Sequence, residues 1–394
     1  MSIRLGTRTR VAAIAAISVI ALGLGGCTGD NSQTPGDAAA DSLGGDLAGS
    51  ISSAVEQAME LSGSTAAVVG VWQGEGAYVQ GFGDGVTANT RIRAAQASQP
   101  VMCALLLDLV ETGVVSLDRE IVEDLPRQVG IEGITYAQLC QAQSGLADFK
   151  TRVADVFANN PTRQWPEGEL LAQSLARSPI SRAEGTARPS DTNALLLARA
   201  LRGATGVEIS ELLNDHVFSK AGMPSTSYPA NPLTELTAPD TMIGQTRSVS
   251  DGDPVCDVDA VAVPEVSPSM LSGAGATVTT VTDLKNFYEY YLNGDSASLV
   301  TEVAPVSETR EWGFGLEKIG PLYGMSGKIT GTISAAYREP ASGLTIVVSL
   351  NDSSAGAAFA KALAFELAAI VGADVPWSAE DQVAELEKRA VCQA

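Results

Sequence analysis

Histidine is almost absent: His216 is the only one in 394 residues. A histidine-bearing metal centre or a Ser-His-Asp triad would have to be built on it. Its surroundings, ELLNDHVFSKAGM near a helix end, suit a histidine that caps or packs. Basic residues are scarce as well, 25 against 46 acidic ones, giving a formal charge of −21. Such a surface repels nucleic-acid phosphates and anionic headgroups, so nucleic-acid binding is disfavoured. The five cysteines fit no zinc-site spacing. The apolar run VAAIAAISVIALGLG is too short for an ordinary membrane-spanning helix.

That run follows Arg4, Arg8 and Arg10 and ends in Leu24-Gly25-Gly26-Cys27, which resembles the lipobox of bacterial lipoproteins. The resemblance implies that residues 1–26 are removed and that Cys27 is acylated. The chain would then be anchored by lipid on the extracytoplasmic face of the cell membrane. Loss of the three arginines takes the charge to about −24. Residues 27–48, rich in Gly, Ala and Asp without periodicity, read as a flexible tether. The main domain is expected over 49–372 and a tail over 373–394. In an exported chain Cys103, Cys140, Cys256 and Cys392 are an even set in an oxidising compartment. They allow three pairings, or buried free thiols, and spacing chooses none.

Leu47, Ile51, Val55 and Met59 recur at helical spacing, and TAAVVGVWQ with AYVQGFGDG reads as a hairpin through Gly74–Gly76. A long apolar helix is expected over Pro100–Glu111, stopped at Thr112-Gly113. Helix patterns follow near 135–141, 168–176, 192–202, 208–215 and 281–292. Strands return in ISAAYRE and LTIVVSLND around a turn at 340–343, before a closing helix near 355–370. Strands at both ends with helices between predict an α/β (α+β) fold. Its antiparallel sheet would be completed by both chain ends and flanked by helices, with a mainly helical lobe inserted over roughly 120–290. The glycine stretches GFGDG and GAGAT sit in no strand–turn–helix of nucleotide-binding length, so they read as turns and no cofactor is implied.

Seven ordered segments resemble the serine beta-lactamase and penicillin-binding family, in its class C and D-alanyl-D-alanine carboxypeptidase branch. They are TANTRIRAA, LLLDLVETGVVSLDREIVEDLP, ITYAQLCQAQSGL, NALLLARALRGATGVEISELLNDHVFSKAGMPSTSY, GAGATVTTVTDLKNF, WGFGLEKIG and YGMSGKITG. The resemblance implies the family's transpeptidase-like fold and three reactive elements: a serine with a lysine one helical turn later, a Y-x-N or S-x-N group, and a K-T-G or H-x-G strand. Here Gln96 and Gln99 stand at the serine and lysine positions, and a glutamine amide neither attacks a carbonyl nor takes a proton. Pro189-Ser190-Asp191 replaces the second element, and Met325-Ser326-Gly327 the third. No S-x-x-K occurs anywhere in the chain, and Tyr291–Asn293 falls in the wrong segment to serve as a Y-x-N. Pro100 adds a constraint, because proline fits only a helix's first turn. Ser98 as N-cap, Gln99 at N1 and Pro100 at N2 would start this helix about two residues later than in active members.

Three serines are candidates for a replacement nucleophile. Ser98 suits a cap better, and Ser144 sits in a turn that is structural in the family. Ser326 has Lys328 two residues on, on the same face if the strand is regular. The resemblance places the helix of Cys140 against the helix of Cys103 and so implies that pair as a disulfide, leaving Cys256 with Cys392. The leading expectation is an anchored, catalytically inactive protein that binds a cell-wall fragment or an envelope protein. The alternatives are a serine hydrolase using Ser326 or Ser98, and an anchored scaffold.

Overall fold

Near-continuous apolar runs in TAAVVGVWQ and LTIVVSLND, buried on both faces, build the middle of one large sheet. A computed structural model describes residues 40–180, 185–237 and 240–393, so Cys27 and the leader lie outside the described residues. Nine antiparallel strands run, edge to edge, Ala40–Asp41, Gly76–Phe82, Ala67–Gln73, Thr345–Leu350, Thr332–Arg338, Leu322–Ile329, Glu317–Ile319, Glu311–Trp312 and Ala304–Pro305. The central join pairs the two chain ends, Ala67 opposite Leu350 and Trp72 opposite Thr345. This is the expected antiparallel sheet.

Each sheet face buries its own core. On one, Ile51 and Val55 of helix Gly45–Ser62 and Phe359 and Leu363 of helix Ala357–Ile370 cover Val69, Val71, Ile346 and Val348. On the other lie the central helix Pro100–Glu111, helix Val281–Asn293 and the inserted lobe. Side chains as large as Leu or Phe contribute roughly 1.5–3 kcal/mol each on full burial, so these stripes fix the layers. The lobe is closed at its root by strand Ile92–Arg93 pairing with Val278–Thr279. It is not purely helical, since it also carries the ribbons Gly244–Thr246 with Val261–Val263 and Val249–Ser250 with Asp253–Pro254.

Three expectations need correction. Residues 40–48 were expected to belong to a tether, but Ala40–Asp41 pairs with Tyr78 and Val79, and the helix starts at Gly45. The apolar Leu43 packs beside the second core and draws this stretch in. The C-terminal tail is integral as well. Its helix Ala379–Glu387 has a Ser378–Asp381 capping box, Trp377 stacks on Phe365 at 4.5 Å, and Val391 N–H donates to Leu61 O. Third, Ser98 is not the N-cap. Residues Ala95–Ser98 form a 3-10 turn, and the α-helix begins at Pro100 with Gln99 as N-cap. Proline has no N–H to give Gln96 O in an α pattern, so Gln99 N–H bonds Gln96 O at 2.9 Å instead.

Candidate functional site

The turn Ala95–Ser98 presents Gln96 to the strand Leu322–Ile329. The approach is close: a Cβ on Gly327 would lie 2.2 Å from Gln96 N, so only glycine fits there. Tyr288 holds the turn from behind by donating to Ala97 O at 2.8 Å. The third wall is the start of helix Asp191–Thr205, N-capped by Ser190. A hydroxyl bridge ties it to the loop after Leu146, since Thr192 Oγ1 donates to Ala147 O and accepts from Phe149 N–H. The loop is thereby laid along the helix start, and Asp148 and Lys150 are carried into the cleft.

Gln96, Gln99, Pro189, Asp191, Met325, Ser326, Gly327 and Lys328 therefore lie together, Gly327 through its contact with Gln96 and the others around a cavity of about 270 Å³. At its centre Asp191 accepts from Gln96 Nε2 at 2.6 Å and faces Gln99 Nε2 at 3.5 Å. Lys150 Nζ pairs with the same carboxylate at 2.5 Å. The other end of the Gln96 amide is also engaged, Oε1 accepting from the backbone N–H of Lys328 at 2.9 Å. Burial, then repulsion from Asp191, raises the Asp148 carboxyl above its ordinary range, with Lys150 opposing. Burial disfavours the Lys150 ammonium, but Asp191 and Asp148 outweigh it and hold its pKa above the usual lysine value.

Ser326 and Lys328 border the cavity, but the alternation that aims Gly327 at Gln96 turns their side chains towards the other face of the strand. Ser326 approaches the Tyr337 hydroxyl there, while Lys328, its pKa lowered by burial, lies in the field of Asp352 and Asp155. Ser98 is buried and donates to Ala95 O at 2.9 Å. Ser144 donates to Asn193 Oδ1 at 2.6 Å and accepts from Leu146 N–H, a turn-holding role. His216 sits away from the cleft in a π-helical turn, Asn214–Phe218, with Nδ1 2.6 Å from Asp108 Oδ2.

Sequence reasoning missed Asp148, Lys150, Arg310 and Trp312 among the lining residues. The charged pair in Ala147-Asp148-Phe149-Lys150, directly after a family segment, was the available signal. Both disulfides are formed, Cys103–Cys140 with Cα atoms 5.9 Å apart and Cys256–Cys392 at 5.3 Å. The first braces the cleft: Cys140 O accepts from Trp312 Nε1 and from Gly315 N–H, both at 2.8 Å. Gly315, at φ 84°, leaves room for the bridge, since a Cβ would stand 2.6 Å from Cys103 Sγ.

Solved structures share this architecture. A D-stereospecific amidohydrolase from Streptomyces sp. is 22% identical with a TM-score of 0.67, covering 77% of this chain and 94% of its own. The D-amino acid amidase of Ochrobactrum anthropi SV3, complexed with L-phenylalanine amide, is 21% identical with a TM-score of 0.66, covering 87% and 99%. A penicillin-binding protein from Bacillus halodurans is 19% identical with a TM-score of 0.62, covering 79% and 97%. At such identities the likeness establishes the fold. The beta-lactamase family model matches residues 51–369, from the first helix to the closing one. With that span and this sheet, the chain belongs to the beta-lactamase family.

Proposed function

We propose that the chain is a family member that binds in its cleft without cleaving, anchored by a lipid on Cys27 to the outer face of the cell membrane. Its ligand would be a cell-wall fragment or an envelope protein. The observation that carries this reading is the double engagement of Gln96. The side chain at the nucleophile's position bridges Asp191 and the Lys328 N–H, and it has no nucleophilic atom to offer. Lys150 supports the reading, since an ammonium paired with Asp191 keeps its proton.

The alternative is a serine hydrolase with Ser326 or Ser98 as nucleophile. It is disfavoured because Ser98 Oγ is turned back on Ala95 O and Ser326 leaves the strand on the face opposite Gln96. Incubating the folded protein with a fluorescent penicillin and with a fluorophosphonate tests the choice. No covalent adduct is expected, and saturable labelling at either serine would overturn the reading. The anchor is tested apart from this. Mass spectrometry of the cell-extracted protein should find a diacylglyceryl group at Cys27, and Cys27→Ala should release the protein from membranes.

A further inference from the structure

Away from the cleft, the ribbon strand Gly244–Thr246 is bonded on both sides. One neighbour is the end of the main sheet, with Gln245 N–H donating to Asn351 O at 2.6 Å. The other is Val261–Val263, and among the described residues no strand pairs with the outer edge of that segment. An open edge presents backbone donors and acceptors to any extended chain. Apolar side chains mark the same place. Ile243, Val258 and Val261 are 52%, 49% and 59% exposed. Beside them runs a groove of about 950 Å³, walled in part by Ile243, Gln245 and Ala262.

Charge identifies the occupant. Asp251, Asp253, Asp257, Asp259 and Glu265 flank the edge, and the sequence holds no lysine or arginine between Arg247 and Lys285. Among the described residues none of these five carboxylates forms an ion pair, Arg247 donating instead to the Val258 carbonyl. The edge is also held in shape before any partner arrives. Cys256 is bonded to Cys392, and the buried Arg93 donates to Pro264 O at 2.6 Å. A preformed strand loses little freedom on binding.

We propose that Val261–Val263 is a docking strand for an extended, cationic segment of another protein. The segment adds to the ribbon by backbone pairing, sets its basic side chains against the five carboxylates and drops apolar side chains beside Ile243 and Ala262. A second copy of this chain does not suit the edge, because it would oppose these carboxylates with their own likeness.

Fluorescence anisotropy with the full chain, both disulfides formed, tests the proposal. The probes are a labelled peptide alternating lysine and valine, one alternating glutamate and valine, and a helix-forming alanine–lysine peptide with the same charge as the first. The lysine–valine peptide is expected to bind at least about ten-fold tighter than either control, and to slow amide exchange at Val261–Val263. Asp257→Asn with Asp259→Asn, both exposed and away from the cores, should weaken it roughly ten-fold at low salt. Equal binding of both cationic peptides without amide protection would overturn the proposal, leaving the carboxylates as guards against edge-to-edge aggregation. So would absence of binding, or self-association of the chain through this edge. None of these outcomes bears on covalent labelling of the cleft.

Discussion

Asp191 and Asp108 are both buried carboxylates, 6% and 5% exposed, and each holds a lysine and a second polar side chain. Asp191 takes Lys150 and the Gln96 amide inside the cleft. Asp108, on the central helix, takes Lys220 and the Nδ1 of His216 near the surface. The Asp108–His216 contact is the geometry that elsewhere orients a catalytic base. Here it stands at a rim, with no serine bonded to the imidazole among the described residues, and it staples the central helix to the turn Asn214–Phe218. The cleft has a different combination: an aspartate held among a lysine and two glutamine amides, which on the proposed reading supports binding. The carboxylate–imidazole contact and the family's cleft thus lie in different parts of this molecule.

The largest effect is expected where a polar partner is fully buried, as the Gln96 amide is at 3% exposure. Asp191→Ala leaves the Lys150 ammonium, about a third exposed, with Asp148 as its remaining carboxylate and strands the Gln96 amide. A loss of roughly 3 kcal/mol is expected, the low end for breaking a buried pair. Asp108→Ala should cost less, about 1 kcal/mol, because Lys220 and His216 are both partly exposed, at 46% and 29%, and neither is stranded in the interior as the Gln96 amide is. Urea unfolding of both variants measures the difference. Equal losses would erase the distinction between the two centres.

Salt and pH sharpen the same comparison. Lys220 is raised above its ordinary 10.5 by its hydrogen bond to Asp108, and Lys150 is raised by Asp191 and Asp148 against the opposing effect of burial. A raised lysine contributes stability that is fully present below the ordinary value and is lost as pH climbs through the folded one. The stability difference between wild type and Lys150→Met, and likewise Lys220→Met, should therefore be flat from about neutral pH, where the carboxylates are ionised, up to 10.5 and shrink above it. At about 1 M salt, where screening acts within roughly 3 Å, the Lys220 difference should fall further than the Lys150 difference, since Lys220 is the more exposed of the two. Thermal unfolding along a pH series reads both.

The sequence carried the large periodic elements and the order of the family segments, because helix and strand spacing is local. Helices at Gly45–Ser62, Pro100–Glu111 and Val281–Asn293 and the hairpin through Gly74–Gly76 were legible for that reason. So was the convergence of Gln96, Asp191 and Met325, through the resemblance. Lys150 was not, because a single charge on a loop has no period, and its role depends on Thr192 drawing that loop to the helix start. The two-residue strand Ala40–Asp41 and the ribbon at Val261–Val263 were equally hidden. Each is only two or three residues long, too short for alternation to register.

The smallest expected effect concerns chemistry. Gln96→Ser with Gln99→Lys rebuilds the family's serine and lysine, yet hydrolysis of nitrocefin and p-nitrophenyl acetate should stay at the wild-type background. A lysine at 99 would project towards Asp191, whose Oδ1 is 3.5 Å from the present Gln99 Nε2. An ammonium beside a carboxylate keeps its proton and cannot accept one from a serine. Pro189 and Met325, both at the cleft, offer no second group to carry it. One gain accompanies the change. Removing the Gln96 amide frees the Lys328 N–H for a substrate carbonyl, so carbonyl binding can return without turnover. Adding Asp191→Asn is the further step that would let the new lysine lose its proton. Clear hydrolysis by the double variant alone would show that Asp191 does not pin residue 99, and that the family's reaction was lost at a single turn.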